Sequence, residues 1–374
     1  MSGDKSGPTG SAARAKERTL SNTVHKDIKG ADPYGYLMVH FIEDPQGYAE
    51  RLYFDLSRGD DPLSWDPLYG GRPLLTSHLG TTGLRDPYMV RDPRNGRVYV
   101  MATDLRVFGG DQSQGSGWDH WSRHGSTKLM IWSTDDLIHW SGPWPLDVSL
   151  QQDGSRVQLG MAWAPECLWV PDYEGPGQGA FVLYWSSRLF DQADPDHADP
   201  SAYDRVLWGA TTDFTQEHFR YGGVLIDTGR NAIDTTMIQR PLPGGGLRTY
   251  RATKDNGYGR GIWLDSTDDP RWWLPQARWT TIQERIGANW CADGNPSGVE
   301  GPALYADHAR NRWYLLVDVI PSVGYRPMVS DDPDAGFDYA REQDFHLRPH
   351  TKHGGVLSLT RQEYERLCPL AQQD

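Results

Sequence analysis

Five titratable residues stand at or near the head of apolar segments that recur along the chain. The segments are RDPYMV (85–90), APECLWV (164–170), IDTTMI (233–238), EGPALY (300–305) and HGGVLSL (353–359), and the residues are Asp86, Glu166, Asp234, Glu300 and His353. Carboxylates that lie close together disfavour one another's ionised form, so the same residue type can supply both an acid and a base. If the fold gathers these residues, the pattern predicts a proton-transfer site.

The segments that must position these residues follow a repeat. Each of the first four is followed by a second apolar run, and a third type of segment places an apolar run before a polar turn and an aromatic residue. The third type occurs at 51–65, 129–140, 206–219, 261–273 and, more loosely, 325–337. Short apolar runs separated by turn residues are typical of strands. Helical periodicity is confined to the last dozen residues, so the fold class predicted is all-β.

The two ends of the repeat are complementary. The segment YGYLMVHF (34–41) begins a unit that lacks its first strand, whereas HGGVLSL (353–359) is a first strand with no second strand after it. Pairing the two completes five four-stranded units, which predicts a five-bladed β-propeller closed by a C-terminal inner strand on the N-terminal blade. We expect residues 1–30 to be a disordered tail and residues 31–374 to be a single propeller domain. An open β-sandwich is the alternative fold.

The innermost strands of a propeller line its axis, so their first residues should converge at one face. The second strands run back to that face, which places Asp104, Arg188, Lys254 and Asp318 on its rim. Arg326, in the fifth segment of the third type, is a further candidate for substrate contact. The loops 106–127 and 188–204 are expected to form pocket walls, and the first of them carries Trp118 and Trp121.

Composition limits the partners of such a site. The 374 residues carry a net charge of −13, which argues against a nucleic-acid or anionic-membrane surface. The chain contains 16 Trp and 18 Tyr, whose flat faces can stack on sugar rings. Its three cysteines suggest no disulfide framework and favour a reducing compartment. We therefore expect a cytoplasmic protein, or a secreted one whose leader peptide is absent from the sequence, acting as a monomer or small homo-oligomer on a carbohydrate.

The order of the inner segments resembles family 43 of the glycoside hydrolases, which are five-bladed propellers. The motifs are RDPYMV, WAPE, IDTTM, VEGP and HGG, and the resemblance covers roughly residues 34–366. It implies an inverting hydrolase of the α-L-arabinofuranosidase, β-D-xylosidase or β-D-galactofuranosidase type. Two features depart from the usual pattern: the base does not come from the N-terminal blade, and Thr follows Asp234 where many relatives have Pro.

The resemblance also assigns roles. Asp86 would be the general base, Glu300 the general acid and Asp234 the carboxylate that orients the acid. Trp163 and Glu166 would belong to the pocket wall, and His353 to the axial pore, where some relatives hold a cation or water. No cofactor is expected beyond a possible structural cation in the pore. The spacing of the histidines near His353 does not indicate a metal site.

Two other functions fit parts of the same sequence. A retaining fructosidase of family 32 would use Asp32 as nucleophile and Glu166 as acid, but the surroundings of Asp32 lack the usual asparagines and Asp234 and Glu300 would have no role. A non-catalytic carbohydrate-binding propeller would need none of the three carboxylates, whereas this chain keeps them all.

Overall fold

A computed structural model describes residues 32–43, 50–110, 112–113, 115–257 and 259–372. The expected disordered tail, 1–30, lies outside these residues. Within them, twenty strands form five four-stranded antiparallel sheets. The strands, in chain order, are β1 (Pro33–Ile42), β2 (Tyr53–Ser57), β3 (Trp65–Pro67), β4 (Leu84–Arg91), β5 (Val98–Asp104), β6 (Lys128–Thr134), β7 (Ser141–Asp147), β8 (Trp163–Gly175), β9 (Gln178–Arg188), β10 (Asp204–Thr211), β11 (Arg220–Ile226), β12 (Ala232–Pro241), β13 (Leu247–Asp255), β14 (Ile262–Thr267), β15 (Thr280–Ile286), β16 (Val299–Ala306), β17 (Trp313–Val319), β18 (Gly324–Ser330), β19 (Asp338–Tyr339) and β20 (Thr351–Thr360).

The five sheets are the blades of a propeller. Blade 1 contains β20, β1, β2 and β3, and the other four blades follow in chain order as β4–β7, β8–β11, β12–β15 and β16–β19. The inner strands contact one another in a closed cycle, in which β4 meets β8, β8 meets β12, β12 meets β16, β16 meets β20 and β20 meets β4. The prediction of a five-bladed propeller is confirmed.

The ring closes between the two ends of the chain. In the antiparallel register of β1 and β20, Tyr36 lies opposite Ser358 and His40 lies opposite Gly354. The segments 34–41 and 353–359 therefore pair as the sequence predicted. Closure leaves β1 with a hydrogen-bonded neighbour on both sides, so it presents no free inner edge.

A polar turn ends the third strand in blades 2 and 3, and it is the polar turn that follows the apolar run in segments of the third type. The Thr134 hydroxyl accepts hydrogen bonds from the backbone N–H groups of Asp136 and Leu137, and the Asp136 carboxylate accepts from the next two N–H groups. Thr211 accepts in the same way from Phe214. Leu137 and Phe214 both adopt positive φ and are buried. The pattern therefore stabilises a turn that inserts an apolar side chain between blades, where the Phe214 ring lies 4.8 Å from that of Phe181 in its own blade and 4.9 Å from that of Tyr99 in blade 2.

Two short α-helices accompany the strands, α1 (Trp118–His124) and α2 (Arg361–Ala371), together with 3-10 turns at Leu68–Gly71, Ala288–Trp290, Pro296–Gly298, Pro333–Ala335 and Glu342–Asp344. The sequence predicted α2, which begins with a capping box between Thr360 and Glu363. It did not predict α1, whose seven residues are too few for a helical period to show. Neither helix has the length and apolarity needed to cross a bilayer, and the described residues include no other α-helix.

Candidate active site

The inner strands share a backbone irregularity at the end where the site lies. The register between first and second strands shifts in β4, β8, β12 and β16, and at each shift one residue has a φ between 47° and 53°. These residues are Asp86, Ala164, Asp234 and Gly301. A β-bulge of this kind redirects a side chain, and a left-handed conformation is strained for residues other than glycine. In two of the four strands, the bulge therefore turns an aspartate side chain out of the regular alternation of the paired strands.

Asp86, Asp234 and His353 come together at these bulges. Nδ1 of His353 lies 3.6 Å from Oδ1 of Asp86 and 4.0 Å from Oδ2 of Asp234. The Thr103 hydroxyl, on β5, donates to Oδ2 of Asp86 at 3.0 Å. The backbone N–H of Gly301 donates to Oδ2 of Asp234 at 3.1 Å. Residues from blades 1, 2, 4 and 5 thus meet at one point, as the convergence of inner strands predicted.

Gly301 has a steric reason to be glycine. A Cβ atom on it would lie 2.7 Å from Cβ of His353, closer than side chains approach. Glu300 immediately precedes this residue, on the same bulge. The close contact of His353 with the Gly301 backbone therefore links the imidazole to the strand that carries Glu300.

Burial sets the protonation of the cluster. The pKa of Asp234 is raised well above its usual value, first by burial and then by the charges of Glu300 and Asp86. Burial lowers the pKa of His353, although the neighbouring carboxylates oppose that effect. The imidazole is therefore favoured in its neutral form, while Asp234 retains a proton to higher pH than an isolated carboxyl would.

Two lysines and a further carboxylate surround Glu300. In the register of β16 and β17, Glu300 lies opposite Asp318, and the Lys352 ammonium is 2.9 Å from Oδ2 of Asp318. The Lys254 ammonium donates to the carbonyl oxygens of Ser297, at 2.9 Å, and Val299. It therefore holds the backbone directly before Glu300.

The pKa values of these neighbours move in different directions. Burial raises the pKa of Asp318 to about 6, although the charge of Lys352 opposes it. The pKa of Lys352 is raised because Asp318, Glu300 and Glu43 outweigh its burial. Burial lowers the pKa of Lys254. The electrostatic field at Glu300 thus combines carboxylate neighbours, Asp234 and Asp318, with the ammonium groups of Lys254 and Lys352.

An arginine next to Asp86 organises the rim. The Arg85 guanidinium donates to Glu43 and to Glu50, each at 2.6 Å, and Glu50 also accepts from the backbone N–H groups of Val107 and Phe108. Arg85 therefore connects the base candidate on β4 to the start of the loop 106–127. Its guanidinium carbon also lies 5.7 Å from the centre of the Trp118 ring.

Trp118 and Trp163 form an aromatic pair on the same rim. Trp163 is the first residue of β8, and its ring centre lies 6.1 Å from that of Trp118 in an edge-to-face arrangement. Trp118 belongs to α1 and is 54% exposed. The expected aromatic wall of the pocket thus has two rings at the end of the inner strands, one of them open to solvent.

Four other candidate residues make side-chain contacts within the protein. Glu166 lies two residues beyond the bulge at Ala164 and is almost fully buried, where it accepts from the Tyr184 hydroxyl at 3.3 Å. Asp104 is buried and accepts from the N–H and hydroxyl of Thr81. Arg188 joins Asp204 to Asp119 of α1, and Arg326, on a third strand, pairs with Glu342 at 3.4 Å. All four have neighbours within the protein, and their roles in substrate binding stay predictions.

Asp32 lies at the opposite end of the blade. The residue after it, Pro33, pairs with Thr360, whereas His353 lies near the other end of β20. Seven residues of strand correspond to about 23 Å. The structure therefore separates Asp32 from the Asp86–His353 cluster, which removes the nucleophile that the fructosidase interpretation requires.

Sequence reasoning missed several charged residues of the site, above all Arg85, Lys352, Glu43 and Glu50. Lys352 and Arg85 each directly precede a residue that was identified, within a strand whose other residues are mostly apolar. A charged residue inside a buried strand was the available signal, since such residues need a partner. No group of three metal-ligating side chains is arranged to hold an ion among the described residues, and the cation near His353 stays a prediction.

Comparison with known proteins identifies a family. A family model described as a probable glycosyl hydrolase domain, related to family 43, matches residues 32–365. An α-L-arabinofuranosidase from Bifidobacterium longum subsp. longum is 28% identical over 250 residues, which is 64% of this chain and 21% of that protein. The chain thus matches about a fifth of the length of this curated relative.

Solved structures also resemble the chain at low identity. A thermostable family-43 glycoside hydrolase is 14% identical with a TM-score of 0.49, covering 75% of this chain and 81% of that one. An α-L-arabinofuranosidase from Podospora anserina, solved with cellotriose, is 14% identical with a TM-score of 0.47, covering 77% and 78%.

Proposed function

The chain belongs to the probable glycosyl hydrolase domains related to family 43, and on that premise we propose that it is an inverting glycoside hydrolase that releases a terminal furanose or pentose. The observation that carries the proposal is the meeting of Asp86, Asp234 and His353 at the end of the inner strands, beside the strand of Glu300. A cluster of carboxyls is what acid–base cleavage of a glycosidic bond requires.

Asp86 is suited to activate the attacking water. Its carboxylate is partly exposed at 17%, and one oxygen is fixed by the Thr103 hydroxyl. The other oxygen faces His353 at 3.6 Å, which is longer than a hydrogen bond. In the proposed mechanism this oxygen takes a proton from the water as that water attacks the anomeric carbon.

Glu300 is the proposed proton donor to the leaving oxygen. The small Gly301 follows it, and the Lys254 contacts hold the backbone before it. Asp234 is the third carboxyl, and burial together with the charges of Glu300 and Asp86 raises its pKa well above the usual value. We assign Asp234 the role of orienting the acid through the Gly301 N–H and of holding a proton within the cluster.

The substrate class follows from the relatives and the rim. The matched Bifidobacterium protein is named an α-L-arabinofuranosidase, which favours α-L-arabinofuranosides, with β-D-xylosides and β-D-galactofuranosides next. An exposed Trp118 beside Trp163 offers an aromatic face for one sugar ring. Hydrolysis of the three nitrophenyl glycosides would rank these classes, and no release from any of them would refute the proposed substrate class.

The test of the acid and base roles compares two variants on two substrates. Glu300→Gln should retain far more activity on a dinitrophenyl glycoside than on a natural disaccharide, because an aryl oxide leaves without protonation. Asp86→Asn should be slow on both, because water activation does not depend on the leaving group. Asn also tolerates the left-handed conformation of residue 86, so the variant isolates the chemistry from the backbone.

Three results of this test can contradict the proposed mechanism. An equal loss on both substrates for Glu300→Gln would show that Glu300 is not the proton donor. Asp32→Asn serves as the matched control and should leave turnover unchanged, since this residue lies at the far end of β1. Inversion at the anomeric carbon, followed by NMR of the first product formed, completes the test, and a retained configuration would contradict the mechanism.

A further inference from the structure

One position on the second strand of blades 2 to 5 contacts the inner strand of the next blade, or the turn that leads into it. In each of these blades the residue lies opposite the one that directly precedes the bulge. The four residues are Thr103, Ser186, Lys254 and Asp318, and each is at most 1% exposed. A buried polar side chain needs a hydrogen-bond partner, and in all four cases the following blade supplies one.

Thr103 connects the base candidate of blade 2 to the bulge of blade 3. Its hydroxyl oxygen accepts from the backbone N–H of Ala164 at 2.8 Å, and the hydroxyl donates to Oδ2 of Asp86 at 3.0 Å. Because a backbone N–H can only donate, the single hydroxyl hydrogen is directed to Asp86. Trp163, the wall residue directly before Ala164, is thereby joined to the base candidate.

Ser186 holds the bulge of blade 4 in a similar way. Its hydroxyl oxygen accepts from the backbone N–H of Asp234 at 3.0 Å. Ala164 and Asp234 have φ values of 48° and 49°, a left-handed conformation that is strained for both residues. A bulge interrupts the ladder of hydrogen bonds, so a buried N–H there needs an acceptor from elsewhere. The serine of blade 3 therefore stabilises the backbone conformation that turns the Asp234 side chain toward the site.

Lys254 and Asp318 occupy the equivalent positions in blades 4 and 5. Lys254 donates to the carbonyl oxygen of Val299, the first residue of the inner strand of blade 5. Asp318 accepts from the ammonium of Lys352, which directly precedes His353 in the inner strand of blade 1. All four contacts thus run in the same direction around the ring, from one blade to the inner strand of the next.

We propose that Thr103 and Ser186 are positioning residues of the carboxylate site, each acting through a hydrogen bond to the bulge of the following blade. Thr103 orients the carboxylate of Asp86, with blade 3 bracing the hydroxyl that holds it. Ser186 holds the backbone from which Asp234 projects. The inference rests on the proposed function for the role of Asp86 as the base.

Amide hydrogen exchange followed by NMR tests both contacts without turnover. Thr103→Val keeps the shape of the side chain but removes the hydroxyl, so exchange at the Ala164 N–H should become about ten-fold faster while that of Asp234 is unchanged. Ser186→Ala should have the reverse effect, with faster exchange at Asp234 alone. Exchange that stays as slow as in the parent protein at the N–H named for each variant would overturn the proposal.

Kinetics of the Thr103 variants test the positioning role. Thr103→Val should lower kcat on a nitrophenyl glycoside roughly ten- to one-hundred-fold, because small displacements of a reacting group are costly. KM should stay within about two-fold of the parent value, because the hydroxyl contacts the base and not the sugar. Thr103→Ser keeps the donor and should restore kcat to within about three-fold.

Thr249→Val is the matched control for loss of a buried threonine hydroxyl. Thr249 is also buried on a second strand, but its hydroxyl accepts from Gln239 within its own blade. Its kcat should stay near that of the parent even if its thermal midpoint falls as far as that of Thr103→Val. Equal losses of kcat in Thr249→Val and Thr103→Val would show a general effect of destabilisation and would refute the positioning role.

The outcomes separate this inference from the proposed function. A parent protein that hydrolyses a glycoside no faster than Thr103→Val does would refute the positioning role alone, as would an equal loss of kcat in Thr103→Val and Thr103→Ser. A parent protein that hydrolyses no glycoside would refute the proposed function, while the exchange rates would still decide whether the hydroxyls hold the two bulges. If Thr103→Val does not fold, Ser186→Ala decides, since unchanged exchange at Asp234 would overturn the shared arrangement.

Discussion

Asp318 should make the stability of the protein depend on pH in a direction opposite to that of an ordinary ion pair. Burial raises its pKa from the usual 3.8 to about 6 in the folded protein, even with Lys352 beside it. Because the folded-state value is the higher one, the folded protein binds the extra proton between pH 4 and pH 6. The contribution to stability is therefore fully present below about pH 4 and is lost as the pH rises through about 6.

The size of the effect follows from the difference in pKa. One pKa unit corresponds to about 1.4 kcal/mol, so a difference of about two units corresponds to about 3 kcal/mol. Asp318→Asn removes this titration. The variant also loses the Lys352 ion pair, but that pair exists only while Asp318 is ionised, and its effect is already contained in the pKa of about 6, so it adds no separate pH dependence.

The assay is urea denaturation of both proteins from about pH 4 to about pH 8. The free energy of unfolding of Asp318→Asn minus that of the parent should rise by about 3 kcal/mol between pH 4 and pH 6 and then level off. Asp331→Asn is the control for the direction in which the free energy of unfolding changes with pH. The hydrogen bond from Arg312 lowers the pKa of this exposed aspartate, so its difference should shift slightly in the opposite direction. A difference for Asp318→Asn that is independent of pH would refute the assignment of a buried, destabilised carboxylate.

Two more predictions concern the rim and the closure. Trp118→Ala should raise KM for the glycoside several-fold with little change in kcat, whereas Tyr339→Ala, an exposed aromatic on an outer strand, should change neither; equal kinetics for both variants would place Trp118 outside the pocket. Removal of residues 351–374 should abolish the cooperative thermal transition, because it strips the inner strand from blade 1 and exposes the edge of β1. A truncated chain that melts sharply near the temperature of the parent would contradict the role assigned to β20.

The fold could be predicted from the sequence because each strand of the repeating blade is a short apolar run. Each blade needs four such runs, and the missing run at one end matches the surplus run at the other. The polar turns at Thr134 and Thr211 repeat at the same place in blades 2 and 3, at the end of the third strand. These signals are local, so a single sequence carries them.

The details of the site were harder to predict, because a β-bulge adds a residue to one strand and shifts which side chains face the site. Asp86 and Asp234 stand on their bulges, but in β8 that position is Ala164, and Glu166 lies two residues deeper. A register shift depends on the pairing of two strands, which one strand does not reveal. The pairing of Arg85 with Glu50 likewise joins residues of two neighbouring blades, a contact that no single strand reveals.

Closure of the ring also dictates when the protein can be completed during synthesis. The strand β20 lies about 300 residues after β1, so at 5–20 residues per second a ribosome needs about 15–60 s to supply the partner of β1. Through that interval Leu37, Met38 and Val39, which are fully buried in the finished protein, belong to a strand with one open edge. For most of its translation the nascent chain therefore lacks the strand that covers this edge, and an uncovered strand edge is prone to aggregation.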